Sequence, residues 1–157
     1  ISMHASVEIR NSIDRVFHYA GDASNDASWR SEVHSISTAG EFSVGTIYKE
    51  DARLGIHPHY ITNTELKVLE TNSLVIYETL PNEPYFLRSQ RSFVQSPNGN
   101  VLFTYQVDVD PSMMEDILTS AIPIWLGKMG YENKMREYLK SLRRLLEGSM
   151  QACSACD

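Results

Sequence analysis

The chain opens on a strand pattern. From His4 to Arg10, Ala5, Val7 and Ile9 alternate with polar residues, as in a strand with one buried face. Asn11-Ser12 then offers a helix cap, with Asp14 and Arg15 in the first turn and Ile13, Val16, Phe17 and Ala20 on one helical face. Gly21 and Asp22 break that helix, and Asp22 to Arg30, which carries Trp29, reads as a second short helix or turn. The middle of the chain is a run of strand signals: Val33 to Glu41, Gly45 to Leu54, His59 to Thr71, Leu74 to Leu80, Tyr85 to Gln95 and Val101 to Val109. Strands separated only by short turns predict an antiparallel meander. After Pro111-Ser112 the period changes. Ile117, Leu118, Ala121, Ile122, Trp125, Met129, Tyr138, Leu139, Leu142 and Leu146 recur at helical spacing. Pro123 cannot donate a helical hydrogen bond, so a kink or break is expected there, and Gly148 is the expected stop.

One strand, two short helices, six strands and one long helix predict an α+β fold. One face of a curved antiparallel sheet must be covered, and only the long helix is large enough to cover it. Where sheet and helix do not fully meet, a cavity remains. The 157 residues suit one domain, expected over residues 3–148 with Met3 as the natural start, followed by a flexible tail over 149–157. A chain of this size needs no disulfide or structural metal. The net charge of -6 argues against a sequence-independent grip on nucleic acid or anionic lipid. No signal peptide and no run long enough to span a membrane is visible, so a cytoplasmic protein without membrane insertion is expected. Cys153 and Cys156 have the spacing of a redox pair or half a zinc site, but no second pair accompanies them, and they read as part of the loose tail.

The order and spacing of several segments resemble a known superfamily. These are Val7 to Phe17, Asp22 to Trp29, Val44 to Glu50, Lys67 to Thr71, Ser92 to Val109 and Tyr138 to Gly148. Together they resemble the START-like or SRPBCC group, and within it the polyketide cyclase/dehydrase-like branch. The resemblance implies a helix-grip fold: a curved antiparallel sheet of about seven strands wrapped around a long C-terminal helix, with two short helices after the first strand. It also implies an internal cavity and no metal or cofactor. Members that look like this include aromatases and cyclases, lyases, ligand-sequestering proteins and lipid-binding proteins. The group has no universal catalytic motif to carry over, and fold does not settle function.

The residues themselves suggest which side chains face the cavity. A two-residue turn at Asn98-Gly99 would ask Pro97 for a backbone N–H that it lacks. A three-residue loop with Gly99 left-handed fits better, and pairs Phe93 with Phe103, Arg91 with Tyr105, Ser89 with Val107 and Leu87 with Val109. Directly opposed residues share a face. The apolar set Val101, Phe103, Tyr105, Val107 and Val109 should face inward, and Arg91 with it. On the neighbouring hairpin, Leu66 and Val68 are expected to share a face with Leu74, Ile76 and Glu78, which makes Glu78 a neighbour of Arg91. Tyr60 and Thr62 extend that face, Tyr48, Glu50 and Leu54 form an inward set, and Leu118, Ala121, Trp125 and Met129 form the helical lid.

A buried guanidinium is costly unless paired. Arg91 is therefore half of a self-satisfied ion pair with Glu78, or a group at the solvated cavity mouth, or a binding group for a ligand oxyanion aided by Tyr105, with Glu78 or Glu50 as general base. His57 and His59 flank Pro58. An H-x-H pair can ligate metal, but no third ligand has supporting spacing, so no metal is expected, and His59 is read instead as a cavity-rim residue. The leading functional expectation is a cofactor-independent enzyme that cyclises, dehydrates or aromatises a hydrophobic, polyketide-like or aromatic molecule. Its catalytic residues would be Arg91, Glu78 and Tyr105. The alternatives are a non-catalytic carrier of a lipid or secondary metabolite, and a protein-interaction module. The partner in the first two cases is a hydrophobic small molecule, and a homodimer is compatible with either.

Overall fold

The structure is a computed structural model. It describes the backbone of residues 1–154 and the side chains of residues 1–148. Seven strands form one antiparallel sheet: β1 (Ser2–Ile9), β2 (Val33–Thr38), β3 (Ile47–Leu54), β4 (His57–Glu70), β5 (Leu74–Thr79), β6 (Leu87–Gln95) and β7 (Val101–Val109). Their order across the sheet is β1-β7-β6-β5-β4-β3-β2, so the meander from β2 to β7 closes against the first strand. Between β1 and β2 come α1 (Ile13–Ala20) and a 3-10 helix (Ala23–Ser28). Ser12 caps α1 by accepting from the Arg15 N–H at 3.3 Å, and Asp22 caps the 3-10 helix by accepting from the Ser24 N–H at 3.0 Å.

The β6–β7 hairpin has the expected register, with Arg91 opposite Tyr105 and Phe93 opposite Phe103. Gly99 has φ +87 and closes the loop, its N–H bonded to the Ser96 carbonyl at 2.9 Å. The β4–β5 hairpin differs from the expectation. A bulge between Leu66 and Val68 shifts the phase, so Leu66 pairs with Tyr77 and Val68 with Ile76. Leu66, Val75 and Tyr77 are fully buried on the concave face. Leu74, Ile76 and Glu78 belong to the opposite face, because one step of register moves a whole set of side chains across a sheet.

The single long helix of the sequence reading is two helices. α2 (Pro111–Ile117) ends at Leu118, and α3 (Ile124–Ser154) begins just after Pro123. Pro123 is thus the break that its missing N–H predicted. α3 does not stop at Gly148 but continues to Ser154; the side chains of Cys153 and Cys156 lie outside the described residues. Met135, Tyr138, Leu139, Leu142 and Leu146 form its buried stripe and pack across the sheet. One pole of the interior is dry and aromatic. Phe17, Phe93 and Phe103 meet at ring separations of 5.3 and 5.1 Å, and Trp29 stands edge-on to Phe103 and Tyr105. At the other pole, α2 and the Leu118–Pro123 linker stand off from the sheet.

Candidate functional site: a two-chamber cavity

The space between sheet and helices has two compartments. The outer one, about 440 Å³, lies under α2, the linker and the first turns of α3. Its walls are mostly apolar: Met113, Met114 and Ile117 of α2, Leu118, Ile122, Leu126 and Met129, and Val107 and Val109 of the sheet. The inner one, about 60 Å³, is deeper and richer in polar groups: Asp26, Arg30, Glu50, Thr62, Ser89, Arg91 and the tyrosines Tyr48, Tyr77, Tyr105 and Tyr131 line it together with apolar residues such as Ala23 and Ile36. Leu54, Leu87, Val107 and Tyr131 border both. A volume of 440 Å³ suits the body of a small molecule. The inner chamber has room for a single polar group or a few waters.

Gly55 fixes where the outer chamber ends. It turns the β3–β4 hairpin with φ +54, and a Cβ there would collide with the Ile117 carbonyl. The adjacent Ile56 N–H donates to that carbonyl at 3.0 Å, which docks the end of α2 on the hairpin.

The inner chamber is organised around Asp26, which is fully buried on the 3-10 helix. Its two oxygens accept from Arg91 Nη1 and Nη2 at 2.7 and 2.6 Å, and Oδ2 also accepts from Arg30 Nη1 at 2.9 Å. Arg91 donates further to the Ala20 carbonyl at 2.9 Å. Arg30 donates to Glu50 Oε1 at 2.7 Å and to Glu32 Oε1 at 3.3 Å. Burial opposes the charge of both guanidiniums, but the facing carboxylates more than offset it and hold Arg30 and Arg91 protonated. The network therefore contains two guanidiniums and three carboxylates. Tyr77 bolts it to the scaffold: its hydroxyl donates to the Gly21 carbonyl at 2.7 Å and accepts from the Ala23 N–H at 2.9 Å.

Several sequence-based site residues are where they were expected and others are not. Arg91, Tyr105, Tyr48 and Glu50 line the inner chamber, while Leu118 and Met129 line the outer one. Tyr60 points inward, packed against the core, but borders neither chamber. Glu78 is not a neighbour of Arg91; it lies on the outer face and accepts from Arg88 Nη2 at 2.7 Å. Ile76 shares that outer face for the same reason of register. Phe103 is wholly buried in the aromatic pole and lines neither chamber. Ala121, in the linker before Pro123, and Trp125, just after it, are both exposed and line neither chamber, Trp125 being 66% exposed. His59 is on the outer face beside Asp51. Sequence reading missed Asp26, Arg30, Glu32 and Tyr131. The pairing of Asp26 with Arg91 joins residues 65 apart, and no local pattern announces it.

The chamber's phenols are neutral donors. Burial, partly opposed by Arg30 and Arg91, raises Tyr105. Burial and then Glu32 raise Tyr131, and burial and then Asp22 push Tyr48 up to about 12. The unfolded chain releases such protons near pH 10 while the native fold retains them. This contribution to stability is therefore complete below about pH 10 and is lost as the pH rises through the native values. In an alkaline titration, ionisation of these tyrosines is expected to coincide with loss of far-UV circular dichroism. Ionisation of all eight tyrosines near pH 10 with the fold intact would contradict the buried placement.

Sheet and helices together define a helix-grip fold. Among solved structures, the chain is similar to a START superfamily protein from Mycobacterium smegmatis, with a TM-score of 0.70 at 12% identity over 94% of this chain and 97% of that one. It is similar to the di-domain ARO/CYC StfQ from the steffimycin biosynthetic pathway, with a TM-score of 0.70 at 12% identity, covering 96% of this chain and 52% of that one. Ginseng major latex-like protein 151 from Panax ginseng matches with a TM-score of 0.67 at 10% identity over 93% and 97% of the two chains. No protein-family model and no curated protein sequence matches the chain. Among the described residues, no helix is long and apolar enough to cross a membrane.

Proposed function

We propose that this chain binds a hydrophobic small molecule with one uncharged polar end. The apolar body fills the outer chamber, and a hydroxyl or ketone reaches past Leu54 and Val107 to the inner one. The observation that carries this reading is the change of wall chemistry across Tyr131, which borders both chambers, from mostly methionine and aliphatic side chains to a wall in which phenols, Thr62, Ser89 and charged groups are interspersed with apolar residues. Ser89 Oγ and Arg30 Nε are buried there without a protein hydrogen-bond partner, as suits a site that receives a ligand oxygen or water.

The polar end is uncharged because the guanidiniums are already spent. Arg91 is held by Asp26 and Arg30 by Asp26, Glu32 and Glu50, so an incoming carboxylate would meet one more carboxylate than guanidinium. Burying that excess charge is unfavourable. Naphthol and naphthoate, matched in size, provide the test. Naphthol is expected to bind about tenfold or more tightly at neutral pH, a difference of about 1.4 kcal/mol. In Glu50→Gln the gap is expected to narrow. Equal or tighter binding of naphthoate to the wild type would overturn the assignment.

A second reading, cofactor-independent cyclisation or dehydration, is favoured by Tyr131. Its phenol, at the border of the two chambers, donates to Glu32 Oε1 at 3.4 Å; burial keeps it protonated, so it is placed to hydrogen-bond a developing oxyanion. The ARO/CYC proteins among the fold neighbours add support at the level of analogy. On this reading Tyr131 would stabilise the oxyanion and Glu32 would take the proton-transfer work expected of Glu78. A ligand recovered unaltered after prolonged incubation with its linear precursor class would leave carriage as the function.

A further inference from the structure

We propose that His34, Asp51 and His59 form a binding site for a divalent transition metal on the outer face of the sheet, remote from the cavity. The three residues come from three adjacent strands, β2, β3 and β4. His34 sits at the bulge between Val33 and Ser35, and bulges re-aim side chains. One ligand atom from each residue lies within 4.8 Å of the other two. His59 Nδ1 is 3.1 and 3.2 Å from the two oxygens of Asp51, a hydrogen bond whose proton an incoming ion would displace. Metal–ligand bonds of about 2.0–2.2 Å give a ligand–ligand edge of roughly 3.3 Å in a tetrahedral site, so this pair already has nearly the separation of two ligands on one ion.

The third residue is prepared in a different way. His34 Nε2 meets the Pro58 carbonyl at 2.8 Å, and its ring lies 4.7 Å from that of His59. A carbonyl accepts only from N–H, so Nε2 carries the proton and Nδ1 keeps the lone pair a metal requires. A backbone carbonyl on the far nitrogen is the usual outer partner of a metal-bound imidazole. Two imidazoles and one carboxylate suit Zn²⁺, Ni²⁺ or Cu²⁺ better than Mg²⁺ or Ca²⁺. The exposure of both histidines leaves the remaining coordination positions to water. The ion would staple β2 to β4 across β3. The inner faces of these same strands present Ile36, Glu50 and Thr62 to the inner chamber, so occupancy would stiffen that wall.

The test is a calorimetric Zn²⁺ titration of the full chain, stripped with chelator, in a C153S/C156S background that removes the tail thiols as competing ligands. One equivalent is expected to bind, with affinity falling as the pH is lowered because protons compete for the imidazoles. Loss of an outer partner of a metal ligand costs 10–100-fold in affinity, so His34→Ala, His59→Ala and Asp51→Asn should each weaken binding at least about tenfold. His57→Ala should leave it unchanged, since His57 lies outside the cluster of His34, Asp51 and His59 and points instead to the Asp116 carbonyl at 3.1 Å. Absence of binding would overturn the proposal, as would Zn²⁺ affinity equal to wild type in His34→Ala and His59→Ala.

Discussion

Replacing Asp26 with Asn is expected to destabilise the protein by about 3–5 kcal/mol, the cost of leaving a buried charge without its partner. Asp26 serves two guanidiniums from the bottom of the cavity. Arg30 would keep Glu50 and Glu32. Arg91 would keep the Ala20 carbonyl and the faces of Tyr77, Tyr105 and Trp29, at 5.0 to 5.8 Å, with one neutral amide oxygen in place of the carboxylate. Cation–π contacts offset only part of a desolvated charge. The same principle predicts a rescue: in Asp26→Leu with Arg91→Met, both members of the pair become apolar, and most of the lost stability should return. Urea denaturation of the wild type and both variants measures this. A loss below about 1 kcal/mol in Asp26→Asn would mean that the pair does not organise the interior.

The second large effect concerns the outer chamber. Gly130 lines it from α3, and a Cβ at that position meets nothing within 4 Å. Gly130→Trp should therefore place an indole at the rim of the chamber without displacing backbone, and should not weaken the helix, where glycine is the poorer former. The neutral fluorophore N-phenylnaphthylamine is expected to bind the wild type saturably and to lose about tenfold or more of its affinity in this variant, with thermal stability preserved. Unchanged probe affinity in a folded Gly130→Trp protein would place the probe elsewhere.

The contrast between the two hairpins explains what the sequence could reveal. Pro97 lacks an N–H and Gly99 accepts a left-handed backbone, so together they determine the β6–β7 turn and bring Arg91 inside. No comparable residue marks the bulge beside Lys67, and the alternation of Leu66 and Val68 reads as continuous although the backbone steps over. That single step sends Tyr77 inward and Glu78 outward. Pro123 announced the break before α3, but not that Trp125, just after it, would face away from the cavity. His34 was invisible as a third partner for His59 for a similar reason, since a bulge and two strand crossings bring them together. Periodicity and turn chemistry report local backbone geometry. The charged network around Asp26 and the cluster around His59 depend on tertiary placement, which they do not encode.

The bulge also changes the chemistry to be expected of the cavity. With Glu78 on the outer face, Arg91, expected either to pair with Glu78 or to meet a ligand oxyanion, is instead neutralised by Asp26 of the 3-10 helix. What remains open to a ligand is a set of neutral phenols, Ser89 and the edge of Glu50. Such a surface selects for hydrogen-bonding shape more than for charge.

The claim that an uncharged amphiphile lies along both chambers is tested most directly by isotope-filtered nuclear Overhauser spectroscopy of bound naphthol. Contacts are predicted between its ring protons and the methyl groups of Val107, Ile117 and Leu118, with its oxygen-bearing edge towards Tyr131. Contacts confined to the outer face, at Ile61 or Val94, would contradict the account.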